Sequence, residues 1–171
     1  NKLGMSGAKA VAHLLTANPI IPLVNLSLSR VGLSDNQAEE LVRALIHTGK
    51  KSGAPPLRSL DLSHNKISSR GGNAIGELLE LEDHESQIEE LDLSWNYLRG
   101  RGADRIGYAL ANDQALKKLN LAYNTFGKSG ALALGRALET NDSLSWLDMT
   151  QNDVSGKAAI VLALGLVFNE A

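Results

Sequence analysis

LRSLDLSHNKI, from Leu57 to Ile67, reads as L-x-x-L-x-L-x-x-N, and the chain repeats it. The same frame holds LVNLSLSRVGL from Leu23, IEELDLSWNYL from Ile88, LKKLNLAYNTF from Leu116 and LSWLDMTQNDV from Leu144. Their starts are separated by 34 (57−23), 31 (88−57), 28 (116−88) and 28 (144−116) residues. A partial repeat, NKLGMSGAKAVAHLL, precedes them and enters the frame at the Asn position. Self-similarity at this period identifies a stack of identical supersecondary units.

The two halves of each unit have different periods. Leu60 and Leu62 alternate with Ser59, Asp61 and Ser63, the period of a strand, and this predicts leucines inward and the other three outward. Asn65, Asn96, Asn124 and Asn152 end the strands and form a predicted ladder whose amides satisfy turn backbone inside the stack. Val31 stands where the second unit would have its Asn, so one rung is expected to be missing. Ten residues after the Asn position come Val11, Leu41, Ile75, Ile106, Leu134 and Leu162. Fourteen after it come Leu15, Leu45, Leu79, Leu110, Leu138 and Leu166. A spacing of four puts each pair on one helical face, predicted to look into the core. Six after it, Gly7, Gly71, Gly102 and Gly130 predict a helix start close against the strand layer. No unit buries its apolar face alone, and stacking gives one shared interior.

These residues resemble the ribonuclease-inhibitor-like class of leucine-rich repeats, which includes ribonuclease inhibitor, the repeats of NOD-like receptors, Ran GTPase-activating protein and the tropomodulin repeat domain. The resemblance implies an α/β leucine-rich repeat solenoid, a horseshoe with parallel strands on the concave face and helices on the convex face. It covers nearly the whole chain, 1–171, as one domain: a partial repeat over 1–22, then repeats starting at 23, 57, 88, 116 and 144. Ribonuclease inhibitor is rich in cysteine and this chain has none, which argues against an inhibitor ortholog.

Composition limits what such a stack does. Aromatic residues are 4% of the 171, so the core is aliphatic. A formal net charge of −2 provides no general field for nucleic acid or membrane, and no uninterrupted apolar run is long enough to span a bilayer. The absence of cysteine excludes disulfides and thiolate metal sites and suits a reducing, cytoplasmic location. His13, His47, His64 and His84 fall at different repeat positions without metal spacing. Asp61, Ser63 and His64 are triad members by type, but neighbours on one strand diverge. No cofactor, metal or catalysis is expected.

Exposed strand positions should form columns across the stack. One reads Asn25, Ser59, Glu90, Lys118, Trp146; the next Ser27, Asp61, Asp92, Asn120, Asp148. A column of small residues follows (Ser29, Ser63, Ser94, Ala122, Thr150), then Arg30, His64, Trp95, Tyr123, Gln151. The pattern predicts a shallow trough with carboxylates on one side and large rings on the other. We therefore expect a non-catalytic protein-binding scaffold whose concave site comprises Asp61, His64, Asp92, Trp95, Asn120, Tyr123, Trp146 and Asp148 and takes a partner with basic groups. Asp after Leu is common in such repeats, so the Asp column taken alone reads as a solubilising stripe, and the Trp95 or Tyr123 ring has the alternative of folding over the Asn turn. Other readings are a GTPase activator of the Ran type acting in trans and a tropomodulin-like actin-binding domain.

Three further features carry expectations. Lys50 and Lys51, in the insertion 46–56, are candidates to pair with Glu82, Asp83 or Glu85 in the acidic insertion 81–87. Arg70, Arg99, Arg101, Lys128 and Lys157 collect where strands turn into helices and suggest an anion or acidic partner. The run AIVLALGLVF (159–168) puts Leu164, Val167 and Phe168 where the previous unit has Arg136, Glu139 and Thr140. With the start at Asn1, this predicts a fragment of a longer array, with further repeats, another domain or a partner against the last helix; the alternative is a cap that wraps over the last core edge.

Overall fold

The computed structural model describes residues 4–17, 23–49, 57–81 and 88–169. Helices and strands alternate: α1 (Gly4–Ala17), β1 (Asn25–Ser27), α2 (Asp35–Gly49), β2 (Ser59–Asp61), α3 (Ser69–Leu79), β3 (Glu90–Asp92), α4 (Gly100–Ala109), β4 (Lys118–Asn120), α5 (Gly127–Leu138), β5 (Trp146–Asp148) and α6 (Lys157–Phe168). The strands form one parallel sheet in chain order, β1 to β5. This is the leucine-rich repeat solenoid, strands concave and helices convex.

Register follows the repeat residue for residue. Leu60 pairs with Leu91, Leu91 with Leu119 and Leu119 with Leu147, so equivalent positions do form columns. The leucines of inner strands are sealed, with Leu62, Leu93 and Leu121 fully buried. Ile75, Ile106 and Leu134 on the helices meet them, as do Leu79, Leu110 and Leu138 one turn on. Each such side chain contributes about 1.5–3 kcal/mol by leaving water. Leu166 departs from the prediction and lies exposed, because no following helix covers it among the described residues.

The glycines pack differently from the expectation too. A Cβ on Gly102 would lie 2.3 Å from the Ser69 carbonyl oxygen at the start of α3, and one on Gly130 would strike Phe126 and Ala103. Gly102 thus lets the start of α4 lie against the start of α3, whereas Gly71 and Gly130 come nearest to Ile67 and Phe126 of their own repeats. A second set works in the other direction. Cβ atoms on Gly76, Gly107 and Gly135 would collide with Arg105, with Ala133 and Leu134, and with Val161 and Leu162 of the next helix.

The Asn ladder is present. Asn96 Nδ2 donates to Leu62 O in the preceding repeat (2.9 Å) and to Leu93 O in its own (3.0 Å), while its Oδ1 accepts from Ile67 N (3.0 Å). Asn65, Asn124 and Asn152 repeat the arrangement, and all four are buried. Each rung therefore closes the turn of the repeat before it. Val31 has no amide for this and packs, half-buried, against the core instead.

Candidate functional site

Concave-face geometry begins with a backbone constraint. Arg30, His64, Trp95, Tyr123 and Gln151, one per repeat just before the Asn position, all have φ between 54° and 57°. This left-handed region costs a residue with a Cβ about 1–2 kcal/mol. Backbone bonds hold it. The N–H groups of Arg30, His64, Trp95 and Tyr123 donate to Ser63, Ser94, Ala122 and Thr150 carbonyls of the next repeat, at 2.8–3.1 Å. The turn throws each large side chain to the rim of the concave face.

There the side chains stack. The rings of Trp95 and Tyr123 are 4.0 Å apart at 11°, and His64 lies against Trp95 at 5.3 Å and 8°. An Arg30 guanidinium nitrogen stands 3.3 Å from His64 Nε2, extending the row by one repeat. Trp95 is 48% and Tyr123 43% exposed, so one edge of each ring still faces solvent. The rings of His64, Trp95 and Tyr123 thus form one stacked row across three adjacent repeats. Trp146 is similarly exposed but stands apart on β5, beside Lys118 and Asn120.

The carboxylate column is partly engaged in holding the backbone. Asp61 Oδ1 accepts from Ser63 N (2.9 Å), Asp92 Oδ1 from Ser94 N (2.8 Å) and Asp148 Oδ1 from Thr150 N (2.8 Å). Asn120 does the same for Ala122 N, so the turn needs an oxygen acceptor and not a charge. Asp61 Oδ2 takes the Ser27 hydroxyl and Asp92 Oδ2 the Asn120 amide. Partial burial pushes the Asp61 carboxyl up. The bonds from Ser63 and Ser27, with the neighbouring His64, outweigh it and hold Asp61 below the ordinary carboxylate range. The column is thus anionic at neutral pH at Asp61.

The small column is not an open trough. Ser63, Ser94 and Ala122 are buried, and Ser29 Oγ meets Ser63 Oγ at 2.9 Å. Strands about 4.8 Å apart let the Asp column and the ring row close over side chains this short. The actual depression, about 280 Å³, lies on the other side of the carboxylates, lined by Asp61, Asp92, Glu90, Lys118, Asn120 and Trp146. Lys118 Nζ pairs with Glu90 across it at 2.7 Å, an exposed pair that contributes little to stability. The depression is thus lined by the three carboxylates Asp61, Glu90 and Asp92 and one cation, Lys118, with Trp146 as its ring.

A second polar ladder was not foreseen. On the helix-to-strand edge, Asp113 Oδ1 accepts from Ala115 N and Leu116 N, and Asn141 Oδ1 accepts from Ser143 N and Leu144 N. Asn141 Nδ2 donates to Asp113 O at 2.8 Å, and Asn169 Nδ2 donates to Asn141 O. Burial raises the Asp113 carboxyl above its ordinary value, against the two N–H bonds that lower it. The 28-residue recurrence of Asp113, Asn141 and Asn169 was the available signal.

The proposed pairs of Lys50 and Lys51 with Glu82, Asp83 or Glu85 lie outside the described residues. The rim cations Arg70, Arg99, Arg101, Lys128 and Lys157 are exposed, and Arg70 is turned toward Glu39 at 3.6 Å. Among the described residues no group of three His, Asp or Glu is placed to hold a metal ion, and no helix is long and apolar enough to cross a membrane.

Comparison with known proteins agrees with this architecture. A leucine-rich repeat family model matches residues 53–76 and 113–135. The tropomodulin C-terminal domain of Caenorhabditis elegans superposes with a TM-score of 0.70 at 16% identity, over 95% of this chain and 92% of that one. The second actin-binding site of leiomodin-1 gives 0.69 at 16% identity, over 92% and 88%. No curated protein sequence matches the chain.

Proposed function

We propose that this leucine-rich repeat domain is a non-catalytic scaffold that binds a protein partner on its concave face, at the row formed by His64, Trp95 and Tyr123 and the acidic depression beside it. The stacked, half-exposed row carries this reading. Three consecutive repeats hold large rings in a left-handed backbone conformation that glycine or asparagine would adopt at lower cost. Large flat side chains with an exposed edge, beside charge, are the usual anchors of protein interfaces. Asp61, Asp92 and Asp148 favour a partner segment with Lys or Arg, and Trp146 adds apolar contact at the far end. Rings beside a negative floor suit a cation that stacks and pairs at once, which describes arginine better than lysine.

Actin is a second reading for that partner. It is supported by the likeness to the second actin-binding site of leiomodin-1 along nearly the whole chain. At 16% identity the likeness is one of fold, and the concave columns belong to this chain. Sedimentation with filamentous actin and equilibrium binding to monomeric actin test it, with the Trp95→Ala/Tyr123→Ala variant alongside. Binding abolished in the variant supports actin on the concave face. Equal binding by both proteins removes the ring row from the interface. No binding by either leaves actin out, and affinity capture with the same pair then reports on other partners.

A further inference from the structure

The face of α6 that looks away from α5 carries the residues by which every earlier helix receives its successor. Seven residues after the Asn position stand Ala38, Gly72, Ala103 and Ala131, all buried; Ala159 holds this position in α6 and is exposed. Eleven after it, Gly76, Gly107 and Gly135 are buried with no room for a Cβ beneath the next helix; Ala163 is the equivalent and is exposed. Fourteen after it, Leu79, Leu110 and Leu138 are buried, whereas Leu166 is 53% exposed.

The sheet ends in the same state. Leu93 N donates to Asn120 O, Leu121 N to Asp148 O and Tyr123 N to Thr150 O, each reaching the next repeat. Met149 and Gln151 hold the positions of Leu121 and Tyr123, and their N–H groups have no partner among the described residues. Leu147 and Met149 are only half-buried, where Leu119 and Leu121 are sealed. An apolar surface of this register, flush with an open parallel edge, fits a unit bringing both a strand and a helix.

We propose that β5 and α6 are an internal stacking surface, covered by a further strand–helix repeat of the same polypeptide following residue 171. Its strand runs parallel to β5 and its helix lies on Ala159, Ala163 and Leu166. The second polar ladder indicates the source. Asn169 stands to Asn141 as Asn141 stands to Asp113, and Asn141 is the side chain that receives the N–H groups leading into β5. Asn169 is thus in position to lead the same chain into a next strand 28 residues after Leu144. A second copy would have no reason to match that register. Ile160, Leu164, Val167 and Phe168 extend the apolar surface to the convex side and enlarge the area to be covered.

Hydrogen exchange on the full-length polypeptide tests this. We expect the amides of 146–151 and 157–168 to exchange at least about 100-fold slower than unstructured peptide, independent of protein concentration. Ala163→Arg should abolish that protection while α3 and α4 keep theirs, and Ala163→Gly, the residue of three equivalent positions, should preserve it. Protection that appears only at high concentration assigns the face to a second copy and overturns the proposal. Fast exchange in the wild type, protection unaffected by Ala163→Arg, or a coding sequence without L-x-x-L-x-L after residue 171 overturns it equally.

Discussion

The indole of Trp95 and the phenol ring of Tyr123 lie nearly parallel, 4.0 Å apart, on residues that both have φ 55°. The repeat spacing alone sets two left-handed turns side by side, and the rings use that distance for contact. Aromatic pairs of this kind are worth about 0.5–1.5 kcal/mol, comparable with what the backbone conformation costs.

Tyr123→Asn separates the two effects. Asparagine tolerates the left-handed region, so unfolding in urea should change by no more than about 1 kcal/mol. Partner binding, measured by titration calorimetry, should weaken by about 2 kcal/mol with the anchor gone. A stability loss matching the binding loss would make the ring a structural group.

Charge in the depression is separable from its hydrogen bonds. Asn120 already caps its turn as a neutral amide, so Asp61→Asn with Asp92→Asn should keep the fold. We expect the double variant to bind its partner about 1 kcal/mol more weakly, with a flatter dependence on salt. Identical salt slopes for the two proteins contradict an electrostatic role.

Asn124→Ala should be among the most damaging single changes. It strips the hydrogen bonds from Leu98 N, Leu93 O and Leu121 O inside the stack. Each buried group left without a partner costs about 1–3 kcal/mol, giving an expected loss of about 3 kcal/mol or more in chemical denaturation.

Gly102→Ala should destabilise although alanine is the better helix former by about 1 kcal/mol. Its methyl would sit 2.3 Å from backbone at Ser69, which cannot rotate away. A net loss of about 2 kcal/mol in melting experiments is expected, and a gain would mean the helices slide freely.

Asp113→Asn should stabilise. The folded protein holds this carboxyl above its unfolded value of 3.8, so folding takes up protons and stability falls as pH rises through the interval above 3.8. An amide in its place, as at Asn141, keeps the acceptor and removes the ionised form. The variant should gain stability at pH 7, and the gain should shrink toward zero as pH drops below 3.8. A gain that does not vary with pH excludes this cause.

Much of this was legible in the sequence because period 2 and period 3.6 alternate so regularly. All five strands and the facing side chains Ile75, Ile106 and Leu134 followed from spacing. What escaped reading depends on neighbours rather than on local pattern. Arg, His, Trp, Tyr and Gln do not announce a left-handed turn, yet each makes one just before the Asn position of its repeat. Ser63, Ser94 and Ala122 looked exposed because alternation assigns a face and not the height of the side chains beside it. The second ladder was hidden by the insertions 46–56 and 81–87, which break the period where earlier rungs would fall. The column of Leu166 predicts a core position only where a further helix covers it, and Leu166 lies exposed.

The Asn rungs have a direction: each one latches the module made before it and does nothing for the module made after. During synthesis the N–H of the newest turn therefore stays without its amide partner until the Asn of the next repeat has emerged, although that turn's own Asn already holds its carbonyls. Growth of the solenoid advances like a zip whose slider trails one tooth behind the tip.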